Sequence, residues 1–347
     1  MSADFIPGRP IPAETLDYFY GMARISILTP YRNAEKYLAE TARSVLSQSY
    51  TDWEWILVND HSTENELQVL QEFRDDPRIV LLENEGKGIV DALCLAFAHA
   101  TGEFITRMDA DDVMPAFKLE RFLSFLERER VRIVTGKVKY FSADSISPGY
   151  RAYEDWLNDR VDKQDFYEQI YRECTLASGN WMMRKKDLEA CGGFTALNYP
   201  EDYDLLFRWY EAGFGIKGLD EVTHWWRDHA WRTSKTSENY QQKAFFELKI
   251  NRFIDLDWDP KQPLIVNGTG QKGRLTAKVL IEHEIPFTWV SHEPEKFAAG
   301  IFGQAIRGVS DVPASEKAQL LNATLIPSSE LENMYRPLVS EIRFLDL

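Results

Sequence analysis

Three cysteines in 347 residues, Cys94, Cys174 and Cys191, with no CxxC pair, are too few and too scattered for a disulfide-framed scaffold or a structural zinc site. No apolar run approaches the roughly 18 residues of a membrane span, and the start Met1-Ser2-Ala3-Asp4 lacks the basic and apolar parts of a signal peptide. The expectation is a cytoplasmic protein; peripheral contact with the inner face of a membrane through a short amphipathic stretch is compatible with this arithmetic. Positive charge is scarce as well: 40 Lys and Arg stand against 55 Asp and Glu, a net charge of −15, and −13 of it falls before residue 263. Such a surface repels phosphate backbones, which excludes nucleic acid as a partner held by bulk electrostatics. There is no repeat of 20–50 residues and no low-complexity tract. What is present is apolar material, 44% of residues with 13% aromatic, enough for a sizeable core and, at this length, for about two domains.

Residues 1–22 hold three prolines and no period, and read as an irregular arm. From Arg24 the pattern is regular. Ile25, Ile27 and Leu28 make a strand, Tyr37 to Ser49 a helix, Trp55 to Val58 a strand, Glu66 to Arg74 a helix and Ile79 to Leu82 a strand. Ile89, Ala92, Leu93, Ala96, Phe97 and Ala100 then repeat at helical spacing before a strand at Phe104 to Thr106. Three β-α units in about 80 residues predict a doubly wound α/β sheet with ligands beyond the carboxyl ends of its strands. Residues 143–175 are weakly patterned and polar. The turn-rich run Asp257 to Pro263 reads as a connector, which divides the chain into an arm (1–22), a main α/β domain (23–262) and a small Rossmann-like α/β domain (263–347).

Chemistry concentrates at the strand ends. Asp109-Ala110-Asp111-Asp112 follows the fourth strand; three carboxylates in four residues need a compensating charge, and a hard cation such as Mg²⁺ or Mn²⁺ takes one or two carboxylates and completes its shell with phosphate oxygens and water. An Asp-rich turn can also simply cap a helix. Asp60, at the end of the second strand, could accept the imide N–H of a uracil or serve as a turn residue. Thr29-Pro30-Tyr31-Arg32-Asn33 ends the first strand with a hydroxyl and an aromatic ring, and Asn84-Glu85-Gly86-Lys87-Gly88 ends the third with close backbone approach and one cation.

In order and spacing, these segments together with Ala100-Thr101-Gly102-Glu103-Phe104-Ile105 resemble family 2 of the glycosyltransferases, over about residues 24–235. The resemblance implies the GT-A fold and an inverting, Mn²⁺- or Mg²⁺-dependent transfer of sugar from a nucleotide-diphosphate donor, usually a UDP-sugar. The acceptor would be a hydroxyl of a glycan or lipid-linked saccharide. It places Thr29, Tyr31 and Asp60 toward the base, Lys87 toward base or ribose, and Asp109 and Asp111 toward ribose, metal and diphosphate. Pro200-Glu201-Asp202-Tyr203-Asp204 resembles the family's Glu-Asp motif, whose Asp is the general base; that implies Asp202, with Glu201 and Asp204 as competing carboxylates. In His224-Trp225-Trp226-Arg227-Asp228-His229, followed by Trp231, His229 is the residue implied as a metal or diphosphate ligand, although the spacing departs from the commoner His-x-x-Ser.

Leu264-Ile265-Val266-Asn267 runs into Gly268-Thr269-Gly270-Gln271-Lys272-Gly273, a GxGxxG turn before a helix. The context suits a second nucleotide site at Gly268, Gly270 and Gly273, and equally a structural βαβ cap. Two other readings compete with the transferase: a sugar nucleotidyltransferase, which would release pyrophosphate, and a non-catalytic nucleotide-sugar-binding protein. A dehydrogenase reading rests on the GxGxxG alone. The sequence carries no signal for the sugar or the oligomeric state.

Overall fold

A computed structural model describes residues 24–63, 66–73, 75–129, 131–143, 145–194 and 200–347. The arm read at 1–22 lies outside them. By contacts the chain divides into two compact units: one runs to Glu154 and adds Ser178–Thr195 and Gly215–Arg227, the other comprises Asp155–Ala177, Ala196–Phe214 and Asp228–Leu347.

The first unit is built on seven strands: β1 (Ile25–Tyr31), β2 (Trp53–Asn59), β3 (Ile79–Glu83), β4 (Phe104–Arg107), β5 (Ile133–Phe141), β6 (Trp181–Arg184) and β7 (Ile216–Arg227). They lie in the order β3-β2-β1-β4-β6-β5-β7. The pairs among β3, β2, β1 and β4 are parallel, and β6 runs antiparallel to both neighbours. All seven residues of β1 are buried, as a strand covered on both faces must be. From β1 the chain winds outward to β2 and β3, then returns to β4 on the other flank, so the strand order reverses between β1 and β4 and opens a crevice at their carboxyl ends. The helix Lys118–Arg128 turns Leu119, Phe122, Leu123 and Leu126 into the core at helical spacing.

Glu54 binds the start of this sheet together. Its buried carboxylate accepts bonds from Ser26 Oγ (2.7 Å), Thr101 N (2.6 Å) and Gly102 N (3.1 Å), and pairs with Arg24 (3.1 Å). Burial pushes its pKa up, but the bonds from Ser26 and Thr101 and the charge of Arg24 outweigh it and hold the carboxyl below its ordinary value.

The second unit carries its own five-stranded sheet: β8 (Leu264–Asn267), β9 (Thr288–Val290), β10 (Ile306–Arg307), β11 (Ser315–Asn322) and β12 (Val339–Asp346). The order is β10-β9-β8-β11-β12 and every pair is parallel. Counted within the sheet this is 3-2-1-4-5, the doubly wound order. Ile265, Val290, Leu320, Leu331 and Tyr335 form its core. Asp257 anchors this sheet to the rest of the unit: its carboxylate accepts from Tyr171 Oη (2.5 Å), Tyr210 Oη (3.1 Å) and Arg343 (2.7 Å), while Gln319 Nε2 donates to its carbonyl (2.7 Å). Residues 263–347 thus begin a new sheet at the Asp257–Pro263 turn, yet share one compact unit with 155–177, 196–214 and 228–262. No helix among the described residues is long and apolar enough to cross a membrane.

Candidate active site

Hydrogen bonds join the strand ends of the first unit into one rim. Asp60 N donates to Tyr31 O (2.8 Å), and the side chain of Asn33 accepts from Thr63 N (2.8 Å) while Asn33 N donates to Ser62 Oγ (3.1 Å), tying the end of β2 to that of β1. Buried Asp60 accepts from Asn84 Nδ2 (2.8 Å) and Gly88 N (2.9 Å), both at Oδ1, and His61 Nε2 meets Gly86 O (2.7 Å), tying β2 to β3. Gly88 takes φ 89°, a left-handed backbone that glycine adopts without strain, and opens the helix Ile89–His99. Lys87 is exposed, its own N–H held by Asp91. Thr29 and Tyr31 are placed otherwise than their motif suggested. Thr29 is fully buried, with its hydroxyl accepting from Trp55 Nε1 (2.8 Å), and Tyr31 belongs to the hydrophobic core. Every residue of β1 is covered on both faces, so its last turn brings the backbone to the rim rather than these side chains.

The acidic turn after β4 sorts its three carboxylates. Asp109 accepts from buried Arg107 Nε at Oδ1 (2.7 Å) and from Ser178 Oγ at Oδ2 (2.8 Å). Asp112 is buried, its Oδ2 bonded by His224 Nε2 (2.9 Å) and its Oδ1 by the N–H of Arg227 (2.7 Å). Asp109 and Asp111 are both part-exposed. Beneath the turn lies Lys118, wholly buried, donating to Gly179 O (2.7 Å); burial pushes its ammonium down to about 7, against the pull of Asp112 and Asp109. Arg107, Ser178 and Lys118 escaped the sequence reading, which placed His224 and Arg227 in a motif but not as partners of Asp112. The only signal was indirect: three clustered carboxylates require cations and donors from somewhere.

The acidic run of the second unit has two buried carboxylates and one part-exposed. In the helix Glu201–Glu211, Glu201 is buried and accepts from Tyr240 Oη; Asp204 is buried between Arg208 (2.9 Å) and Arg252. Asp202, in the first turn, is part-exposed. His229 is half-buried, its Nδ1 accepting from Trp231 N (3.3 Å).

At the glycine turn, Gly268 has φ 111°, and a Cβ on Gly273 would stand 2.0 Å from Gly268 O, so helix and strand touch only because that residue is glycine. A Cβ on Gly270 would meet nothing within 4 Å. Beside it opens a cavity of about 500 Å³ lined by Thr269, Gly270, Gln271, Arg274, Lys278 and Phe302.

Among the described residues no three His, Cys, Asp or Glu side chains gather into a cage for a metal ion. The donor chemistry of Asp111 nevertheless fits a divalent cation that arrives with a diphosphate. Mg²⁺ and Mn²⁺ need only one or two carboxylates from the protein when phosphate oxygens and water supply the rest.

A sheet whose parallel strands end at an acidic turn beside the reversal of strand order has the build of the doubly wound α/β proteins, whose ligands lie at that reversal. Residues 26–192 match the model of glycosyl transferase family 2. That domain of the chain belongs to the family, and the chain is a transferase enzyme. It is 28% identical over 228 residues to EpsE of Bacillus subtilis, a protein named as a glycosyltransferase, covering 64% of this chain and 77% of EpsE. It is 36% identical over 123 residues to WfgD of Escherichia coli, a UDP-Glc:alpha-D-GlcNAc-diphosphoundecaprenol beta-1,3-glucosyltransferase, covering 35% of this chain and 48% of WfgD. In structure it is similar to the mannosyltransferase PcManGT of Pyrobaculum calidifontis, solved with GDP-Man and Mn²⁺, at a TM-score of 0.51 and 20% identity over 75% of this chain and 70% of that one. The fold is GT-A.

Proposed function

We propose that the chain transfers a sugar, with inversion, from a UDP-sugar to a hydroxyl of a glycan or lipid-linked saccharide, with Asp202 as general base and Asp111 as the carboxylate toward a divalent cation. One observation carries this reading: Asp111 lies part-exposed in the acidic turn at the carboxyl end of β4, beside Asp109, held by Arg107 and Ser178, and the buried Asp112, and Asp202 is the part-exposed member of an acidic run whose Glu201 and Asp204 are buried. Asp60 suits the base, since both of its hydrogen bonds fall on Oδ1 and an imide N–H can meet Oδ2. Lys87, exposed beside Gly86 and Gly88, suits the ribose edge of the same rim. Asp109, held by Arg107 and Ser178, shapes the turn that presents Asp111. The cation, when bound, would offset diphosphate charge as the leaving group departs. His229 is a candidate second contact to it. The acceptor oxygen attacks the anomeric carbon as the bond to the phosphate oxygen breaks; its proton goes to Asp202, and the nucleoside diphosphate leaves with the electron pair. WfgD, whose donor is UDP-Glc and whose acceptor is a lipid diphosphate sugar, supports this choice of substrates.

The test is a thermal-shift panel of UDP- and GDP-sugars with and without Mn²⁺. A donor at 100 times its Kd adds about 2.7 kcal/mol of stability, and we expect a UDP-sugar to do so with Mn²⁺ and Asp111→Ala to remove the Mn²⁺ part. A variant with an unchanged Mn²⁺ response refutes the role of Asp111, and pyrophosphate among the products refutes sugar transfer.

A further inference from the structure

Arg227 is the last residue of β7, and its bonds converge on the acidic turn. Its N–H donates to Asp112 Oδ1 (2.7 Å) and its Nε to the carbonyl of Asp111 (2.6 Å). The guanidinium lies over the rings of Tyr37 (4.8 Å) and Phe141 (4.3 Å), and Nη2 pairs with the exposed Glu40 (2.7 Å). From the other side Thr41 Oγ1 bonds the carbonyls of Ala110 (2.9 Å) and Asp112 (2.8 Å). Three successive carbonyls of the turn are therefore held, and the middle one, on the residue whose carboxylate is part-exposed, is held by a charged donor. A planar guanidinium stacked on two rings and spent at Nε is poorly placed to serve as a counter-charge for a diphosphate; its bonds run into the protein.

We propose that Arg227 is a positioning residue that fixes the direction of the Asp111 carboxylate through the main chain and thereby sets the cation-dependent part of donor binding. The proposal rests on the reading of Asp111 given above. Groups that orient a metal-binding side chain are typically worth 10–100-fold in metal affinity although they never touch the ion. Lysine at this position could reach a carbonyl but has no planar guanidinium to lay against Tyr37 and Phe141.

The experiment is calorimetric titration of the full chain with UDP, with and without Mn²⁺, reading the ratio of the two Kd values. GDP replaces UDP if that is the diphosphate the wild type binds. In Arg227→Gln the ratio is expected to fall at least about 10-fold, with the Mn²⁺-free affinity unchanged; Arg227→Lys should restore it in part, and Glu40→Gln should leave it as in the wild type. A role limited to stability would lower Tm without moving the ratio. A folded Arg227→Gln that keeps the wild-type ratio overturns the proposal. If that variant does not fold, Arg227→Lys, which loses the Nε bond and keeps the charge, takes its place; a ratio equal to that of the wild type there overturns it equally. A wild type that gains nothing from Mn²⁺ overturns the reading of Asp111 and this proposal with it, and is told apart because it shows before any substitution.

Discussion

In Glu201-Asp202-Tyr203-Asp204 folding treats three carboxylates unequally, and the difference predicts their substitution. Asp202→Asn keeps the size of the side chain and much of its hydrogen bonding but has no useful basicity, so turnover should fall about 10²–10⁴-fold while donor affinity stays. Steady-state kinetics beside donor titration measure both, and near-normal turnover would move the role elsewhere. Asp204→Asn should instead lower Tm, because Arg208 and Arg252 lose their shared buried charge. The sequence made the clusters legible, since repeated carboxylates at strand and helix ends are conspicuous. It could not say how each member is held, because partners come from far along the chain: Ser178 lies 69 residues after Asp109, and His224 lies 112 after Asp112. Thr29 shows the opposite failure. A motif placed it at the rim, and only the packing of Trp55 shows that its hydroxyl is spent in the core.

Elements were legible where period and length agreed, and less so where pairing decided. The first four strands and the helix at 89–99 follow from apolar spacing alone. The edge strand β7, twelve residues from Ile216 to Arg227, was hidden because half-exposed residues break its alternation. Two strand-level features carry predictions. Glu54 joins β1, β2 and the turn before β4 with a carboxylate held below its ordinary pKa. A depressed folded value means this stabilisation is fully present above the unfolded value near 4.5 and is lost as pH falls through the folded one. Glu54→Gln should thus cost about 1–3 kcal/mol at pH 7 and flatten the loss of stability below pH 4.5, as read by denaturant titration across pH. In the glycine turn, Gly273→Ala drives a Cβ into Gly268 O and should cost about 1–3 kcal/mol, whereas Gly270→Ala, at φ −69° with open space before it, should stay within about 0.5 kcal/mol. The reverse order in thermal melts would mean that helix and strand do not approach as described.

At the scale of the whole molecule, a new sheet begins after the turn at 257–263 and shares one compact unit with residues before it. Gln319 and Arg343, from β11 and β12, complete the shell of Asp257 together with Tyr171 and Tyr210. A chain cut after residue 262 should therefore lose the cooperative melting of the second unit in calorimetry, whereas an unaltered transition would show that residues 263–347 contribute nothing to it. The chain passes between the two units five times, at 154/155, 177/178, 195/196, 214/215 and 227/228. This interleaving bears on synthesis. At roughly 5–20 residues per second, the 170 residues that follow Ala177 take on the order of 10–30 s to appear, so Asp155–Ala177 emerges from the ribosome long before β11 and β12 exist. During that interval Tyr171, buried in the finished protein, lacks the Asp257–Arg343 pair to which its hydroxyl bonds.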